Sequence, residues 1–330
     1  MAAEALATMT VAIASYQRRG PLERLLRGLA AQLAGDPALR QGLDVAVVLD
    51  GSTDGSQAMV EALDLGVPTR VLWQANQGLA AARNAGLDAA TGELIWFLDD
   101  DLVPAAGLLA AHRRAAAPRD RDVVVGPCLP AAGHRIHPLV RRFWEERHAE
   151  LSATRRIERF DRFSAANTSG PVSTFRDLGG FDPAFVGYGA EDYELAVRLL
   201  RSGAVVRYEP DAVAWHIPPH GAVAMATRQR DEAANQIRLV QRHPETFDDV
   251  FPPIPPNVVL EAIARRGLHR RPRLLDACAS ALLPLVALEA RVSGGRRWRV
   301  LGVASAAAYV SHLVRHDPDG RVTARVLGLA

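Results

Sequence analysis

Short apolar runs alternate with amphipathic segments along the first part of the chain. Four runs have the length of a buried strand, at residues 10–14, 44–49, 67–73 and 93–98. The segments between them place apolar residues three and four positions apart, as in the helix that Pro21 begins. Strands that alternate with helices predict an α/β domain, in which a mostly parallel sheet is flanked by helices.

The middle of the chain has a less regular pattern. Residues 122–126 have the composition of a further strand, and residues 139–150 form either a charged helix or a loop. Small polar residues and glycines predict a loop-rich segment over residues 165–182. Residues 191–202 are typical of an amphipathic helix, and a strand is predicted after it at residues 204–208.

Helical patterns alone continue after about residue 220. Helices are predicted at residues 222–242 and 256–266, followed by a tail that is rich in Ala, Leu and Arg. The change of pattern predicts two parts, an α/β domain over residues 1–220 and a helical carboxyl-terminal extension over residues 221–330.

Polar residues follow three of the predicted strands. They are residues 15–18 (SYQR), Asp50, and residues 99–101 (DDD). Ligands of parallel α/β sheets bind beyond the carboxyl ends of the strands. We therefore expect a nucleotide-type binding site at this edge of the sheet.

The acidic run is the strongest single feature of that edge. Three adjacent carboxylates repel one another, so a nearby cation favours keeping them together. Mg²⁺ and Mn²⁺ prefer oxygen ligands and often keep substrate phosphate in their coordination shell. On an extended chain, Asp99 and Asp101 would point the same way. A solvated acidic turn or a helix cap is the alternative that the spacing leaves open.

A second acidic pair, Glu191 and Asp192, begins the amphipathic helix. A carboxylate whose pKa is raised by a pocket or by a second carboxylate can act as a general base. Acidic residues are also common at helix amino-termini because they complement the helix dipole. The position alone does not decide between these two interpretations.

Four blocks of sequence occur together in a specific order. They are TVAIASYQR, VVLDGSTDGS, QGLAAARNAGLDAATGELIWFLDDD and GGFDPAFVGYGAEDYELAVRLLRSG. In order and spacing they resemble glycosyltransferase family 2, over about two thirds of the chain from Thr10 to about His216. The resemblance implies the GT-A fold and transfer of a sugar from a nucleoside diphosphate sugar, with uridine diphosphate as the expected carrier.

The resemblance assigns a role in donor binding to several residues. Tyr16 and Arg18 match positions that hold the nucleotide base, and Asp50 matches a carboxylate that hydrogen-bonds the base. The chain departs from many relatives at Leu49, where they have a first Asp. Arg83 matches a position that contacts the base or the diphosphate, and its alternative is an arginine on a helix surface.

The acidic run matches the family's Asp-x-Asp motif. The resemblance makes Asp101 a direct ligand of Mn²⁺ or Mg²⁺ and gives Asp99 a role toward the ribose or donor sugar and possible metal contact. Asp100 lies in the donor site, as a binding residue or only as a neighbour. The segment FVGYGAEDYEL resembles galactosyl- and N-acetylgalactosaminyltransferases, in which a downstream His completes the metal shell. His216 holds that position here, and His220 is its rival.

The same resemblance places the chemical step at the second acidic pair. Asp192 is expected to take the proton of the acceptor hydroxyl, and Glu191 to bind the acceptor or orient the site. The attack would be a single displacement with inversion at the anomeric carbon. The acceptor is not specified and could be a saccharide, a lipid-linked sugar or a small molecule.

Composition excludes several other classes of protein. All 39 basic residues are arginines, and a chain without lysine can hold neither a P-loop nor a pyridoxal Schiff base. A sugar-nucleotide pyrophosphorylase, which relies on lysines over the phosphates, is excluded for the same reason. The net charge of +2 gives no general attraction for nucleic acid. A non-catalytic nucleotide-sugar-binding module that acts in an assembly remains the alternative to an enzyme.

The remaining expectations concern location and the extension. Two distant cysteines, and an amino-terminus without a basic and apolar leader, predict a cytoplasmic protein. Arginine clusters flank an apolar stretch at residues 274–288, whose uncharged run of 12 residues is too short to span a bilayer. The extension is predicted to form a helical cap or homodimer contact, or to lie on an anionic membrane surface.

Overall fold

The chain forms two compact units in the computed structural model. The structure describes residues 6–116, 121–132, 138–217, 222–251, 258–292, 299–317 and 319–327. One unit comprises Met1–Ala184 and Glu191–Pro218, and the other comprises Phe185–Ala190 and Pro219–Ala330. All of the predicted site residues belong to the first unit.

The first unit is built on a mixed sheet. Among the described residues it has seven strands in the order β3-β2-β1-β4-β8-β6-β9, and a second sheet has the order β5-β10-β7. The strands are β1 (Met9–Ser15), β2 (Leu43–Asp50), β3 (Thr69–Gln74), β4 (Leu94–Leu98), β5 (Leu102–Pro104), β6 (Val123–Val125), β7 (Cys128–Pro130), β8 (Asn167–Pro171), β9 (Val206–Tyr208) and β10 (Ala214–His216).

Helices pack on both sides of this sheet. In chain order they are α1 (Arg19–Gly35), α2 (Ser56–Glu61), α3 (Leu79–Asp88), α4 (Leu108–Ala115), α5 (Pro138–Thr154), α6 (Val172–Asp177) and α7 (Glu191–Arg201). The stretch at residues 139–150, for which helix and loop both remained open, is therefore part of helix α5.

The predicted central strands form the core of the first unit. Strands β1, β2 and β4 run parallel to one another, and their apolar side chains are almost completely buried. Helix α1 covers them with five leucines spaced by three and four residues, each contributing about 1.5–3 kcal/mol on burial. These leucines are Leu22, Leu25, Leu26, Leu29 and Leu33. The prediction of a mostly parallel α/β sheet is confirmed.

The prediction of a loop-rich segment over residues 165–182 is wrong for the part that forms strand β8. This strand is buried along its whole length and pairs antiparallel with β4 and β6. Its polar side chains are satisfied inside the protein: Asn167 Oδ1 accepts from Trp96 Nε1 at 3.0 Å, and His112 bonds Asn167 and Ser169 at 2.8 Å. Burial lowers the pKa of His112 to about 4, so the imidazole is neutral.

The strands of the small sheet were not predicted either. Strands of three residues are too short for an apolar pattern to develop. Strand β10 pairs antiparallel with β5, with His216 opposite Leu102. This pairing brings His216 beside the end of the acidic run, so the histidine lies within a strand instead of after one.

The second unit is mostly helical among its described residues. Its helices are α8 (Ala222–Arg242), α9 (Phe247–Val250), α10 (Val258–Arg265), α11 (Pro272–Val292), α12 (Arg299–His316) and α13 (Arg321–Val326). Residues 256 and 257 of the predicted helix, and His220, lie outside the described residues. None of the described helices combines the length and apolar character needed to cross a bilayer.

The segment Phe185–Ala190 lies close to helix α8 within the second unit, and a glycine allows this close approach. Gly187 has φ of +83°, and a Cβ there would lie 2.7 Å from the Asp231 carboxyl group. Asn235 Nδ2 donates to the carbonyls of Val186 and Tyr188 at 3.1 and 3.2 Å. The backbone just before Glu191 is therefore held by hydrogen bonds as well as by its close approach to the helix.

Candidate active site

The predicted donor residues gather at one edge of the seven-stranded sheet. Arg18 follows β1, Asp50 ends β2, and Asp99 to Asp101 follow β4. These strands are parallel neighbours in the sheet, so their carboxyl ends meet there. The predicted polar residues therefore do lie together at this edge, and their role in binding a nucleotide stays a prediction.

An arginine neutralises two carboxylates of the acidic run. Arg18 Nη1 donates to Asp100 Oδ1 at 3.0 Å and to Asp101 Oδ2 at 2.8 Å. Asp100 is almost fully buried. Burial raises the pKa of Asp100 to about 7, while the charge of Arg18 acts in the opposite direction. Asp100 is thus more than a bystander, because it helps to hold Arg18.

His216 approaches the same oxygen of Asp101. Its Nε2 lies 3.5 Å from Asp101 Oδ2. Burial alone would raise the pKa of Asp101, but the hydrogen bonds and charges of His216 and Arg18 outweigh burial and lower it. Asp101 therefore stays ionised, as a carboxylate that binds a cation must.

The run is a turn and does not continue the strand. The Leu102 amide donates to the Asp99 carbonyl at 3.3 Å, and Asp99 and Asp101 contact different arginines. The expectation that alternation points these two side chains the same way is therefore wrong. Among the described residues, no three His, Cys, Asp or Glu side chains are placed to hold one metal ion together. Asp101 and His216 are the part of the predicted ligand set that is assembled.

Asp50 is buried and fastens the loop before α3. Its Oδ1 accepts from Gln74 Nε2 at 2.7 Å and from the Gln77 amide at 2.9 Å, and its Oδ2 accepts from the Gly78 amide at 2.8 Å. A carboxylate offers about four acceptor positions, so one position is left for a ligand. Base recognition by Asp50 stays a prediction, to which the structure adds a positioning role.

Two aromatic side chains stand exposed near Asp50. Tyr16, which follows β1, is 52% exposed, and Trp73 of β3 is 56% exposed. The indole Nε1 of Trp73 donates to the Ser52 carbonyl at 3.2 Å, which fixes the ring. Exposed aromatic faces suit stacking on a planar base. Trp73 was not predicted; an aromatic residue at the carboxyl end of a strand was the available signal.

Arg83 joins the two acidic groups. Its side chain is 5% exposed, its Nη2 donates to Asp99 Oδ1 at 2.8 Å, and its Nη1 donates to Glu191 Oε1 at 3.0 Å. Its guanidinium also lies 5.2 Å from the centre of the Phe181 ring. The alternative of an arginine on a helix surface is therefore wrong. Burial opposes the charge of Arg83, but the two carboxylates outweigh it and raise its pKa.

The second acidic pair holds two carboxylates in different surroundings. Glu191 is buried against Arg83, whereas Asp192 is partly exposed and its Oδ1 accepts from the Tyr193 amide at 2.9 Å. Surrounding protein atoms and the charge of Glu191 raise the pKa of Asp192 to about 7, while Arg83 and Arg147 act in the opposite direction. A carboxyl group with this pKa is suited to exchange a proton near neutral pH.

Arg147 is a site residue that the sequence analysis missed. It comes from α5, its Nη2 donates to the Phe163 carbonyl at 3.3 Å, and its guanidinium lies 5.7 Å from the centre of the Trp144 ring. The aromatic and charged residues of that helix were visible in the sequence, but their direction was not.

The decisive comparison concerns the region that contains all of the donor residues. The sequence profile described as glycosyl transferase family 2 matches residues 10–176, half of the chain. The chain belongs to glycosyl transferase family 2. A second profile, described as the N-terminal domain of galactosyltransferase, matches residues 145–214 and so contains Glu191 and Asp192.

A curated relative of this family 2 chain is validoxylamine A glucosyltransferase of Streptomyces hygroscopicus subsp. jinggangensis. It is 29% identical over 275 residues, which cover 74% of this chain and 63% of the relative. The same enzyme of S. hygroscopicus subsp. limoneus is covered to 58%. The chain thus spans about three fifths of the length of these relatives.

Solved structures share the fold. A mannosyltransferase of Pyrobaculum calidifontis in complex with GDP-Man and Mn²⁺ has a TM-score of 0.59 at 23% identity, with 93% of this chain and 87% of that one covered. GalNAc-T7 with UDP, GalNAc and Mn²⁺ has a TM-score of 0.52 at 15% identity, covering 74% and 50%. The family 2 chain therefore has the GT-A fold of nucleotide-sugar transferases.

Proposed function

We propose that this protein is a metal-dependent glycosyltransferase. It transfers a hexosyl group from a nucleoside diphosphate sugar to an acceptor hydroxyl, with UDP as the expected carrier. The first unit is the catalytic domain in this proposal. Family membership supports the reaction class. The Mn²⁺ and nucleoside diphosphates in the titles of two structural neighbours support the type of donor and cofactor.

The observation that carries the proposal is the Arg83 bridge. One buried guanidinium contacts Asp99 of the donor edge and Glu191 of the second pair, which are far apart in the sequence. The two acidic groups are therefore parts of one site. A binding module would need the donor edge, but it would have no use for a second carboxylate pair in which the pKa of Asp192 is raised.

At the donor edge, the chain's residues bind and orient the nucleotide. The exposed faces of Tyr16 and Trp73 offer stacking surfaces for the base, and Asp50 has one acceptor position left for its polar edge. Asp101, which stays ionised, and His216 suit Mn²⁺ or Mg²⁺ as an oxygen and an imidazole ligand. The ion would supply electrostatic stabilisation of the diphosphate as it leaves.

At the second pair, Asp192 acts as the general base. Its carboxylate takes the proton of the acceptor hydroxyl while that oxygen forms a bond to the anomeric carbon. The bond from the anomeric carbon to the phosphate oxygen breaks, and the nucleoside diphosphate leaves with its electrons. One displacement of this kind inverts the configuration. Glu191, held by Arg83, keeps the pair in place and contributes to the raised pKa of Asp192.

The proposed chemical step uses residues of the first unit, and the second unit is assigned a separate role. We propose that it serves as a helical cap or homodimer contact, with the peripheral membrane surface as the competing proposal. Sedimentation with anionic phospholipid vesicles at low and high salt separates these two, since only a membrane surface gives binding that salt abolishes.

A thermal-shift panel tests the function. Nucleoside diphosphates and their sugars are added to the protein with Mn²⁺ or with a chelator, and Asp101→Asn serves as the matched variant. We expect at least one nucleoside diphosphate to stabilise the wild type in Mn²⁺ and not in chelator, with little effect on Asp101→Asn. Stabilisation by none of them would overturn the proposal. Metal-independent binding without turnover of any donor would favour the non-catalytic module.

A further inference from the structure

Arg18 bridges two carboxylates of the acidic run, one of which is the predicted metal ligand Asp101. A single nitrogen, Nη1, contacts both Asp100 Oδ1 and Asp101 Oδ2. The second of these oxygens is also the one that His216 Nε2 approaches at 3.5 Å. Asp101 Oδ2 is therefore shared between a guanidinium and an imidazole, so a cation that binds this carboxylate competes with Arg18.

The placement of Arg18 is built into the backbone. Gln17, the residue before it, has φ of +52°, a left-handed conformation that is uncommon outside glycine. The Gln17 amide donates to Ser52 Oγ at 3.0 Å, and its side-chain Nε2 donates to Thr53 Oγ1 at 3.0 Å. Bonds to the loop after β2 thus hold the turn that directs Arg18 toward the acidic run.

Arg18 is also able to leave the carboxylates. Its side chain is 34% exposed, whereas that of Arg83 is 5% exposed. Arg18 follows β1 on a loop, and its contacts are made by the tip of a long, rotatable side chain. A guanidinium is well suited to phosphate oxygens as well as to carboxylates. The same group can therefore serve either the carboxylates of the acidic run or a bound diphosphate.

We propose that Arg18 is exchanged between two partners during donor binding. It neutralises Asp100 and Asp101 before a divalent cation binds, it is displaced from Asp101 by that cation, and it then contacts the diphosphate of the donor. Arg18 is thus a diphosphate-binding residue whose release is coupled to metal binding, instead of a contact to the base. This inference rests on the proposed function.

If Arg18 is exchanged in this way, its substitution should change the affinities for Mn²⁺ and for a nucleoside diphosphate in opposite directions. Removing the guanidinium removes a competitor for Asp101, so Arg18→Gln should bind Mn²⁺ on the order of tenfold more tightly than the wild type when no nucleotide is present. The same variant in saturating Mn²⁺ should bind a nucleoside diphosphate on the order of tenfold more weakly. A residue with a merely structural role would weaken both.

Isothermal titration calorimetry measures both affinities, with Mn²⁺ alone and then with UDP or GDP in saturating Mn²⁺. Arg19→Gln is the control, because Arg19 is the exposed neighbour and its side chain makes no contact with the described acidic run. Arg18→Lys keeps one nitrogen for the bridging position, so its Mn²⁺ affinity should resemble that of the wild type. Circular dichroism checks that each variant folds.

The inference is overturned if Arg18→Gln binds Mn²⁺ no more tightly than the wild type, or if its affinity for the nucleoside diphosphate is unchanged. When the wild type and Arg19→Gln bind both ligands normally in that experiment, the exchange alone is wrong and the proposed function stands. When neither of those two proteins binds Mn²⁺ or a nucleoside diphosphate, the proposed metal-dependent function fails together with the exchange.

Discussion

The two acidic groups of the site differ in how their charge is compensated. At the donor edge, Asp101 lies between Arg18 and His216, and its pKa is lowered. At the second pair, Glu191 has the close contact with Arg83, while Asp192 has a raised pKa of about 7. Titratable groups whose surroundings push their pKa values apart indicate different chemical roles.

In the proposed function, this difference separates a carboxylate that binds from one that reacts. To hold a cation, Asp101 would have to remain ionised, and the positive charge of Arg18 beside it favours that form. To act as the base, Asp192 would have to accept a proton and release it again, and among the described residues Arg83 forms its salt bridge with Glu191 and not with Asp192. Arg83 belongs to both groups and fixes their separation.

The largest expected effect is on Asp192. Asp192→Asn keeps the size of the side chain but removes the base, and general-base catalysis contributes about 10²–10⁴-fold. We expect release of nucleoside diphosphate from the donor to slow by about 10³-fold. Chromatography of the released nucleotide measures this. Asp211→Asn, at an exposed carboxylate, is the control; equal rates for the two variants would contradict the assignment.

The second largest effect is expected from removal of the Arg83 bridge between Asp99 and Glu191. Arg83→Leu leaves Asp99 and Glu191 without their shared cation, which should lower the free energy of unfolding by about 3 kcal/mol. Denaturant titration measures the change. Arg24→Leu, on the exposed face of α1, should change it by less than about 0.5 kcal/mol.

A double variant sharpens the test of the bridge. If Arg83 acts through Glu191, then Arg83→Leu and Glu191→Leu should be less than additive, with a coupling of at least about 0.5 kcal/mol. Strictly additive free energies would show that the two side chains stabilise the fold independently.

A smaller effect is expected from pH. Asp192 must be unprotonated to act as a base, so kcat/KM for the donor should fall below pH 7, by about tenfold per pH unit. Arg147 lowers the pKa of Asp192, so Arg147→Gln should move this acid limb to higher pH. Initial rates between pH 5.5 and 8 in saturating Mn²⁺ provide the profile. A flat wild-type profile would contradict the assignment of Asp192 as the base.

The sequence predicts those parts of the fold whose pattern is local. Strands β1, β2 and β4 carry uninterrupted apolar runs, and helix α1 carries its leucines at helical spacing. Strand β8 escaped prediction because Asn167 and Ser169 become suitable for a core strand only once His112 and Trp96 are there to bond them. The three-residue strand β10 depends on its pairing with β5.

The features of the site likewise divide into those that the sequence could predict and those that depend on the folded structure. The resemblance to the family selected every carboxylate of the two acidic groups as a candidate site residue, because each of them lies in a sequence motif of that family. It did not reveal which arginine contacts which carboxylate: Arg18 lies on Asp100 and Asp101, and Arg83 joins Asp99 to Glu191. Such partners are distant in sequence and are chosen by the folded arrangement of strands and helices.

Donor binding by two variants tests most directly whether the donor edge binds the donor and the second pair transfers the proton. Isothermal titration calorimetry of the nucleoside diphosphate sugar identified in the thermal-shift panel, in Mn²⁺, is performed on Asp101→Asn and Asp192→Asn. We expect Asp192→Asn to bind the donor within about twofold of the wild type, and Asp101→Asn to lose affinity by about 10–100-fold. Equal losses in both variants, or a loss confined to Asp192→Asn, would contradict the assignment of binding to the donor edge and of proton transfer to the second pair.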